Sequence, residues 1–352
     1  LIQNIVEPDI QLWTWRDASS SFLRALEIED NVMFVLMSIL VMIASMNIIS
    51  GLIMLVKNKG RDIGILRTIG LSKGAIMRVF MICGAFTGII GTFFGVIFGC
   101  LFALYIDPIF AVINILSGGK IISNSPLKFI GTKEAPIEIH SSDKKGQGIL
   151  ILAEKRNSYL KHVSINHLTN PTHGNWTVTG AITFYESPVK LEYVSISNNR
   201  SEDALNIVRT NFFISHCTLQ NTQSDAFDGD FVDGIVKDSN FINLGNDAID
   251  VSGSDITITN VTINKASDKG LSAGENSKMT INNVTIENSE IALAGKDLSL
   301  VEGKNLTIRN NKLAFTAFKK KPEFGPSHIK LTEVKLESVE TIHLIENKSS
   351  LY

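Results

Sequence analysis

The chain has 352 residues, and its 33 Lys and Arg against 35 Asp and Glu give a net charge of −2 at pH 7. This balance excludes the basic surface by which proteins bind nucleic acid. Three cysteines are too few for a disulfide framework. Cys217 stands alone in the second half and is predicted to be a small buried side chain.

Two long apolar runs dominate the first third. Val32–Val56 and Val79–Ile106 contain no charged residue. Each is longer than the roughly 20 residues that a helix needs to cross the hydrocarbon core of a bilayer. The sequence therefore predicts an α-helical membrane segment at 32–106, with two transmembrane helices joined by the loop 57–78.

Charge predicts the orientation of these helices. The loop 57–78 carries one acid, Asp62, and six cations: Lys57, Lys59, Arg61, Arg67, Lys73 and Arg78. Loops rich in Lys and Arg stay on the cytoplasmic side of a membrane. The loop is therefore predicted to be cytoplasmic, and both flanking parts of the chain are predicted to lie on the opposite side, the periplasm in a bacterium.

Four short segments carry a family resemblance in this region. They are Phe-Leu-Arg-Ala-Leu at 22–26, Asn-Ile-Ile-Ser at 47–50, Arg-Asp-Ile-Gly-Ile-Leu-Arg-Thr-Ile-Gly at 61–70 and Ile-Met-Arg-Val-Phe at 76–80. With them, residues 13–116 resemble the C-terminal part of an ABC transporter permease of the FtsX/MacB type. The lipoprotein-releasing permeases of the bacterial inner membrane are the most similar group within that type.

The resemblance implies a transporter subunit without intrinsic nucleotide hydrolysis. In that family the loop is a coupling helix that docks on a separate cytoplasmic ABC ATPase, so ATP is used only through that partner. A second permease subunit, the lipid membrane and a lipoprotein cargo are the other implied partners. By position, the residues expected to contact the ATPase are Arg61, Asp62, Leu66, Arg67 and Gly70. The chain itself has no P-loop motif and needs no cofactor.

The family pattern is incomplete in this chain. Family members have four spans and a large periplasmic domain between the first two, whereas this sequence has two apolar runs. Residues 1–31 would be the end of that periplasmic domain. Because the chain also begins without Met, we expect it to be a fragment.

Small residues recur along the second apolar run. Glycines are mostly four positions apart and are predicted to share a helix face: Gly84, Gly88, Gly91, Gly95 and Gly99. Small residues at this spacing let helix backbones approach closely in lipid. We expect this face to pack against another helix, either of this chain or of another permease subunit.

A fixed repeat governs the sequence after residue 125. Six apolar residues are spaced by 22, each preceded by Ala or Gly: Leu205, Phe227, Ile249, Leu271, Leu293 and Phe315. A constant period of this length is the signature of a solenoid. Leu127 and Ile149 extend the series backwards, and Ile182 follows Ile149 after 11 extra residues, which predicts a loop near 168–176.

The segments between these positions indicate which solenoid forms. They are β-branched and alternating, as in Ile256-Thr257-Ile258, with Asn, Asp, Gly and Ser at the corners. The sequence therefore predicts an all-β right-handed parallel β-helix over 126–352, with about nine 22-residue coils, after a linker at 107–125. Residues 126–344 resemble the right-handed parallel β-helix repeat proteins, a family that includes pectin-degrading enzymes and surface adhesins.

Carboxylates cluster on two neighbouring coils. If Phe227 and Ile249 point inward, alternation places Asp228, Asp230 and Asp250 on the outer face of one sheet. Two further carboxylates, Asp225 and Asp247, lie at the preceding turn and are also 22 apart.

Three interpretations of these carboxylates stay open. Paired carboxylates can act as acid and base in glycoside hydrolysis or elimination, for which Asp225, Asp228, Asp247 and Asp250 are the candidates. Asp228, Asp230 and Asp250 could hold calcium. Solvated turn and face residues are the third interpretation. The seven histidines show no i, i+4 pair and no shared coil position, so they predict no metal site.

Three functional interpretations remain from the sequence. The first is a permease fragment, joined to a periplasmic β-helix, that couples an ATPase to extraction of lipoprotein from the inner membrane. The second is a membrane-tethered β-helix that binds or processes polysaccharide. The third is a chimera in which residues 117–125 join two unrelated partial genes.

Overall fold

The computed structural model describes residues 20–104, 112–153 and 155–352. Residues 1–100 and 101–352 form two separate compact units. Most of the predicted periplasmic segment 1–31 lies outside the described residues.

The first unit is helical. Its described helices are α1 (Ser20–Asn58), α2 (Gly60–Thr68) and α3 (Lys73–Leu104). Within them, Phe34–Asn58 and Lys73–Leu101 are long and apolar enough to cross a membrane. The described side chains are largely exposed, for example Ile82 with 69% of its surface accessible. The two predicted long apolar helices are therefore confirmed.

The second unit is built from strands in two long parallel sheets. Sheet A has 13 strands: β1 (Val112–Asn114), β3 (Lys128–Ile130), β4 (Ile137–His140), β6 (Ser158–Asn166), β10 (Val189–Ser197), β12 (Asn211–Ser215), β13 (Thr218–Thr222), β15 (Asp233–Leu244), β17 (Asp255–Ala266), β19 (Lys278–Glu287), β21 (Leu300–Arg309), β23 (His328–Glu337) and β25 (Ser350–Leu351).

Sheet B has ten strands, and a short hairpin stands apart from both sheets. The strands of sheet B are β2 (Ile121–Ser123), β5 (Ile149–Leu152), β9 (Gly180–Tyr185), β11 (Asp203–Val208), β14 (Asp225–Asp230), β16 (Ile249–Ser252), β18 (Lys269–Gly274), β20 (Ile291–Lys296), β22 (Leu313–Phe318) and β24 (Thr341–Ile345). The antiparallel hairpin is β7 (Thr172–His173) with β8 (Trp176–Thr177).

The strand register confirms the 22-residue ladder. Leu205 pairs with Phe227, Phe227 pairs with Ile249, and the pairing continues in the same row to Phe315. Phe227 and Ile249 have 0% of their surface exposed. The core is therefore a stack of inward side chains, and burial of that apolar surface stabilises the solenoid.

The register differs from the prediction near the start of the solenoid. Ile149 pairs with Ile121, 28 residues earlier, and Leu127 belongs to the other side of the coil, where its N–H donates to Ser158 Oγ. The 22-residue spacing fails because this coil carries extra corner residues. The 33-residue step from Ile149 to Ile182 is confirmed, and the β7–β8 hairpin lies within its insertion.

The solenoid also begins earlier than predicted. Strands β1 and β2 lie in the segment expected to be a linker, yet β1 pairs with β4 in sheet A and β2 pairs with β5 in sheet B. With β2 included, sheet B has ten strands, so the described solenoid has about ten coils where about nine were predicted.

Amide side chains connect the coils on the outside of sheet A. At one corner, residues with positive φ lie above one another. Asn260 Nδ2 donates to Asp238 Oδ1 at 2.9 Å, Asn283 Nδ2 donates to Asn260 Oδ1 at 2.8 Å, and Asn305 Nδ2 donates to Asn283 Oδ1 at 3.0 Å. Asn tolerates the left-handed backbone better than most residues, so it suits a corner that repeats in every coil.

We predict that Ile249→Asp prevents stable folding of the solenoid. The change buries an unpaired carboxylate in the ladder, at a cost of roughly 4 kcal/mol or more. Circular dichroism and limited proteolysis measure the loss. The control is Asn240→Asp, which adds the same charge at an exposed position. A protease-resistant Ile249→Asp solenoid would show that residue 249 does not face the core.

Candidate functional site

The predicted coupling loop forms helix α2. An apolar cleft of about 270 Å³ lies between α2 and the first turns of α3, with Lys59 and Asp62 at its polar side. These two side chains form an ion pair at 3.0 Å. The apolar lining consists of Ile63, Leu66, Leu71, Ile76, Val79, Phe80 and Cys83.

The cleft separates the five predicted contact residues into two groups. Asp62 and Leu66 line it, so they face the start of α3. At 100° per residue, Arg61 lies on the opposite side of α2, and Arg67 lies on its flank. Gly70 follows the helix with φ of +99°, a conformation that suits Gly. Arg61 and Arg67 are therefore the cations of α2 that point away from the cleft.

The predicted packing face of α3 has no neighbour among the described residues. A Cβ atom added at Gly84, Gly88, Gly91, Gly95 or Gly99 would meet nothing within 4 Å. The structure therefore places these glycines along one helix with open space beside them.

The predicted carboxylates come together on sheet B. Asp228 and Asp250 are direct partners on the adjacent strands β14 and β16. Asn206, on the preceding strand, donates from Nδ2 to Asp228 Oδ2 at 2.8 Å. Lys296, from two coils further on, places Nζ 3.3 Å from Asp250 Oδ1.

The two turn carboxylates have a different environment. Asp225 Oδ1 accepts the backbone N–H of Asp247 at 2.8 Å. Asp247 Oδ1 in turn accepts the backbone N–H of Lys269 at 2.9 Å, and Lys269 Nζ lies 3.4 Å from the same oxygen. Each carboxylate therefore fixes the turn of the next coil, which gives Asp225 and Asp247 a structural role.

Burial and mutual repulsion shift the acidity of the group. Burial, together with the charges of Asp203, Asp230 and Asp250, raises the pKa of Asp228 to about 9. Burial likewise raises the pKa of Asp203 to about 7. It also raises the pKa values of Asp225 and Asp230.

Two opposing effects act on the pKa of Asp247, namely its burial and the neighbouring charge of Lys269. Burial raises its pKa to about 7, and Lys269 opposes the rise. The pKa of Asp228 therefore lies above those of Asp203 and Asp247, and Asp228 stays protonated at neutral pH.

Sequence reasoning missed three members of this cluster. Asp203 and Asn206 lie 22 residues before Asp225 and Asp228, so extending the repeat by one coil would have found both. Asp203 is 2% exposed, and its Oδ2 has no hydrogen-bond partner among the residues that the structure describes. Lys296 reaches Asp250 across 46 residues, and no short motif connects the two positions.

The described residues contain no group of three or more His, Cys, Asp or Glu arranged to hold a metal ion. The calcium interpretation of Asp228, Asp230 and Asp250 gains no geometric support there. Cys217 is 1% exposed, as predicted for a small buried side chain.

Two histidines share a coil position, contrary to the prediction. His162 and His216 lie on either side of Tyr193, with ring centroids 4.7 Å and 4.6 Å from the tyrosine ring. The prediction failed because the insertion before β9 separates His162 from Tyr193 by 31 residues, whereas the regular repeat is 22. The rings stack against each other, which is a packing arrangement.

Family models match both units. The FtsX-like permease C-terminal domain matches residues 33–131, and the right-handed β-helix region matches residues 204–325. The chain thus combines an FtsX-like permease segment with a right-handed parallel β-helix. The permease match extends over strands β1, β2 and β3, so the matched segment and the solenoid overlap.

Curated relatives of the first unit are lipoprotein-releasing system transmembrane proteins. LolC of Neisseria meningitidis is 38% identical over 116 residues, which are 33% of this chain and 28% of that protein. LolC of Xylella fastidiosa is 39% identical over 100 residues, 28% of this chain and 24% of the relative. LolE of Haemophilus influenzae is 31% identical over 114 residues, 32% and 27% of the two chains. The chain spans about a quarter of the length of these relatives.

Solved structures resemble this chain over about two thirds of its length, at low sequence identity. The catalytic domain of a GH87 alpha-1,3-glucanase has a TM-score of 0.39 and 11% identity, covering 68% of this chain and 63% of its own. Tailspike protein 2 of an Escherichia coli O157:H7 bacteriophage has a TM-score of 0.42 and 10% identity, covering 68% and 38%. Both TM-scores are below 0.5, so neither structure supports an argument about this chain's activity.

We predict that Asp228→Asn reduces the pH dependence of solenoid stability. The folded-state pKa of about 9 lies above the unfolded value, so the unfolded chain binds fewer protons between the two. The free energy of unfolding therefore falls as pH rises from about 4 to about 9. Asn removes this proton linkage and keeps an acceptor for Asn206.

Thermal unfolding at several pH values measures this effect. The melting temperature of Asp228→Asn should fall less between pH 5 and pH 9 than that of the unchanged protein. Asp233→Asn, at an exposed position of sheet A, is the matched control. Parallel curves for all three proteins would contradict the raised pKa.

Proposed function

We propose that the helical unit is part of a lipoprotein-release permease that couples a separate cytoplasmic ATPase to extraction of lipoprotein from the bacterial inner membrane. The observation that carries the proposal is the match of residues 33–131 to the FtsX-like permease domain. Identity of 38% to a LolC protein supports it. Hydrolysis of ATP belongs to the partner, and this chain supplies the surface that responds to it.

Helix α2 is the proposed docking element for the ATPase. It is a short helix between two candidate membrane spans, and Arg61 and Arg67 are exposed on the sides that do not line the cleft. These two cations would pair with carboxylates of the ATPase, while Asp62 and Leu66 hold α2 against α3. Gly70 provides the turn between α2 and α3.

The proposed topology follows from the charge of the loop. Six cations against one acid in 57–78 favour a cytoplasmic location for α2. Because the chain crosses the membrane twice, the β-helix then lies in the periplasm. The glycine face of α3 is free for close packing against a helix of the same transporter, in this subunit or in a second permease subunit.

We predict that Arg67→Glu weakens ATPase binding by at least about tenfold, because truncating or reversing a paired interfacial charge costs 2 kcal/mol or more. Membrane insertion should be unchanged. Co-purification of the ATPase with the tagged full chain measures binding. Lys128→Glu, the same charge reversal at an exposed solenoid position, is the control. Equal recovery of the ATPase with both variants would sink the docking role of Arg67.

A second proposal concerns acid–base chemistry on sheet B. It rests on the pairing of Asp228, whose pKa is raised to about 9, with Asp250, which is ion-paired to Lys296. Glycoside hydrolysis uses two neighbouring carboxyl groups, one of which donates a proton to the leaving group. Adjacent strands lie about 4.8 Å apart, which is near the carboxyl separation of retaining enzymes. Asp228 would be the acid and Asp250 the nucleophile.

We predict that such hydrolysis, measured as reducing-end release from a panel of neutral and acidic polysaccharides, falls by a factor of about 10² or more in Asp228→Asn. Asp250→Asn should fall as far, since a nucleophile is lost. Asp233→Asn should retain full activity because it leaves the cluster intact. Absence of release by the unchanged protein on every polymer would contradict the proposal.

A further inference from the structure

The cleft between α2 and α3 has the chemistry of a lipid site. Its lining is apolar apart from Lys59 and Asp62. Ile76 is 9% exposed, whereas side chains deeper in the candidate span are freely exposed. The first turns of α3 thus form one apolar wall of the cleft, with Ile76 as its most buried residue.

The cleft lies at the end of a candidate membrane span. Ile76, Val79 and Phe80 belong to the span Lys73–Leu101, while the opposite wall, Ile63 and Leu66, belongs to the polar loop. If Lys73–Leu101 spans the membrane, the wall on α3 lies at the edge of the hydrocarbon and the wall on α2 lies at the level of the headgroups. A chain with an apolar tail and a polar head matches both sides.

Charge around the cleft favours an anionic head. Lys59 lines it directly. Lys73 lies seven residues before Phe80 and therefore on the same face of α3. One carboxylate, Asp62, is already paired with Lys59. Basic pockets next to membrane helices bind anionic headgroups, and each Lys or Arg near the surface contributes to that attraction.

We propose that this cleft binds one anionic phospholipid, with an acyl chain between Leu66 of α2 and Ile76 and Phe80 of α3. The headgroup lies near Lys59 and Lys73. The site goes beyond coupling to an ATPase. Its occupancy would fix the angle of α2 against α3, because the acyl chain contacts both helices. Lipid composition would then influence the position of the docking helix.

Tryptophan quenching by brominated lipid tests the site. The full chain carrying Phe80→Trp, with Trp13, Trp15 and Trp176 replaced by Phe, is reconstituted in vesicles of phosphatidylcholine and phosphatidylglycerol, with bromine on the acyl chains of one lipid or the other. Phe86→Trp, at a position that is 66% exposed and outside the cleft, is the reference. Because bromine depth is equal in both lipids, the ratio of quenching reports headgroup preference alone.

Brominated phosphatidylglycerol should quench Trp at position 80 in preference to brominated phosphatidylcholine, and position 86 should show no preference. Adding Lys73→Gln should lower the preference about fivefold, the factor expected for one surface cation. Arg78→Gln, which removes the same charge from the opposite side of α3, should leave it unchanged.

Two results would overturn the site. Equal headgroup preference at positions 80 and 86 would mean bulk lipid contact, and no quenching at position 80 by either lipid would mean that a protein segment fills the cleft. ATPase co-purification with the same variants is measured in parallel. Loss of lipid preference with normal ATPase binding removes only the lipid site, so the two proposals fail independently.

Discussion

Backbone pairing between successive coils is the constraint on which the solenoid depends. Each interior strand of sheets A and B pairs its N–H and C=O groups with the coil before it and the coil after it. Such a strand cannot shift without disturbing both neighbours. The stacked rows of inward side chains follow from this register, as do the outer rows. Asp228 and Asp250 are adjacent because Phe227 and Ile249 are adjacent. Burial and the neighbouring carboxylates then raise the pKa of Asp228.

The sequence predicted the regular part of the fold well, because a repeat exposes the register directly. The row from Leu205 to Phe315 needed only a count of 22. The prediction was wrong where corners carry insertions, as with Leu127, since alternation alone does not reveal on which side of a coil a strand lies. It also missed strands β1 and β2, whose three residues each are too short for a strand pattern and become strands only by pairing with a later coil.

In the candidate sites too, features set by regular spacing were predictable from the sequence, whereas contacts between distant residues were not. Carboxylates at a fixed spacing were visible in the sequence, and the orientation of α2 follows from helical geometry once its ends are known. The charge of Lys296 beside Asp250 was not visible, because it depends on a long side chain reaching over an intervening coil where Gly274 leaves space. The elevated pKa of Asp228 depends on burial, which the spacing of residues does not report. ATPase docking on α2 and acid–base chemistry on sheet B are therefore proposals that rest on the positions of these side chains.

The amide side chains that follow Asp238 at one corner of sheet A give the solenoid a direction along its axis. A carboxylate can only accept hydrogen bonds, so the amide of Asn260 must turn its NH2 group toward Asp238. The carbonyl oxygen of Asn260 is then directed at the next coil, and Asn283 and Asn305 must repeat the same orientation. One acidic residue thereby orients the amide dipoles of this corner in the same direction along the solenoid axis. Exchanging Asp238 for Asn would still allow a hydrogen bond between each pair of neighbouring side chains. It would remove the constraint that makes all the amides point in one direction.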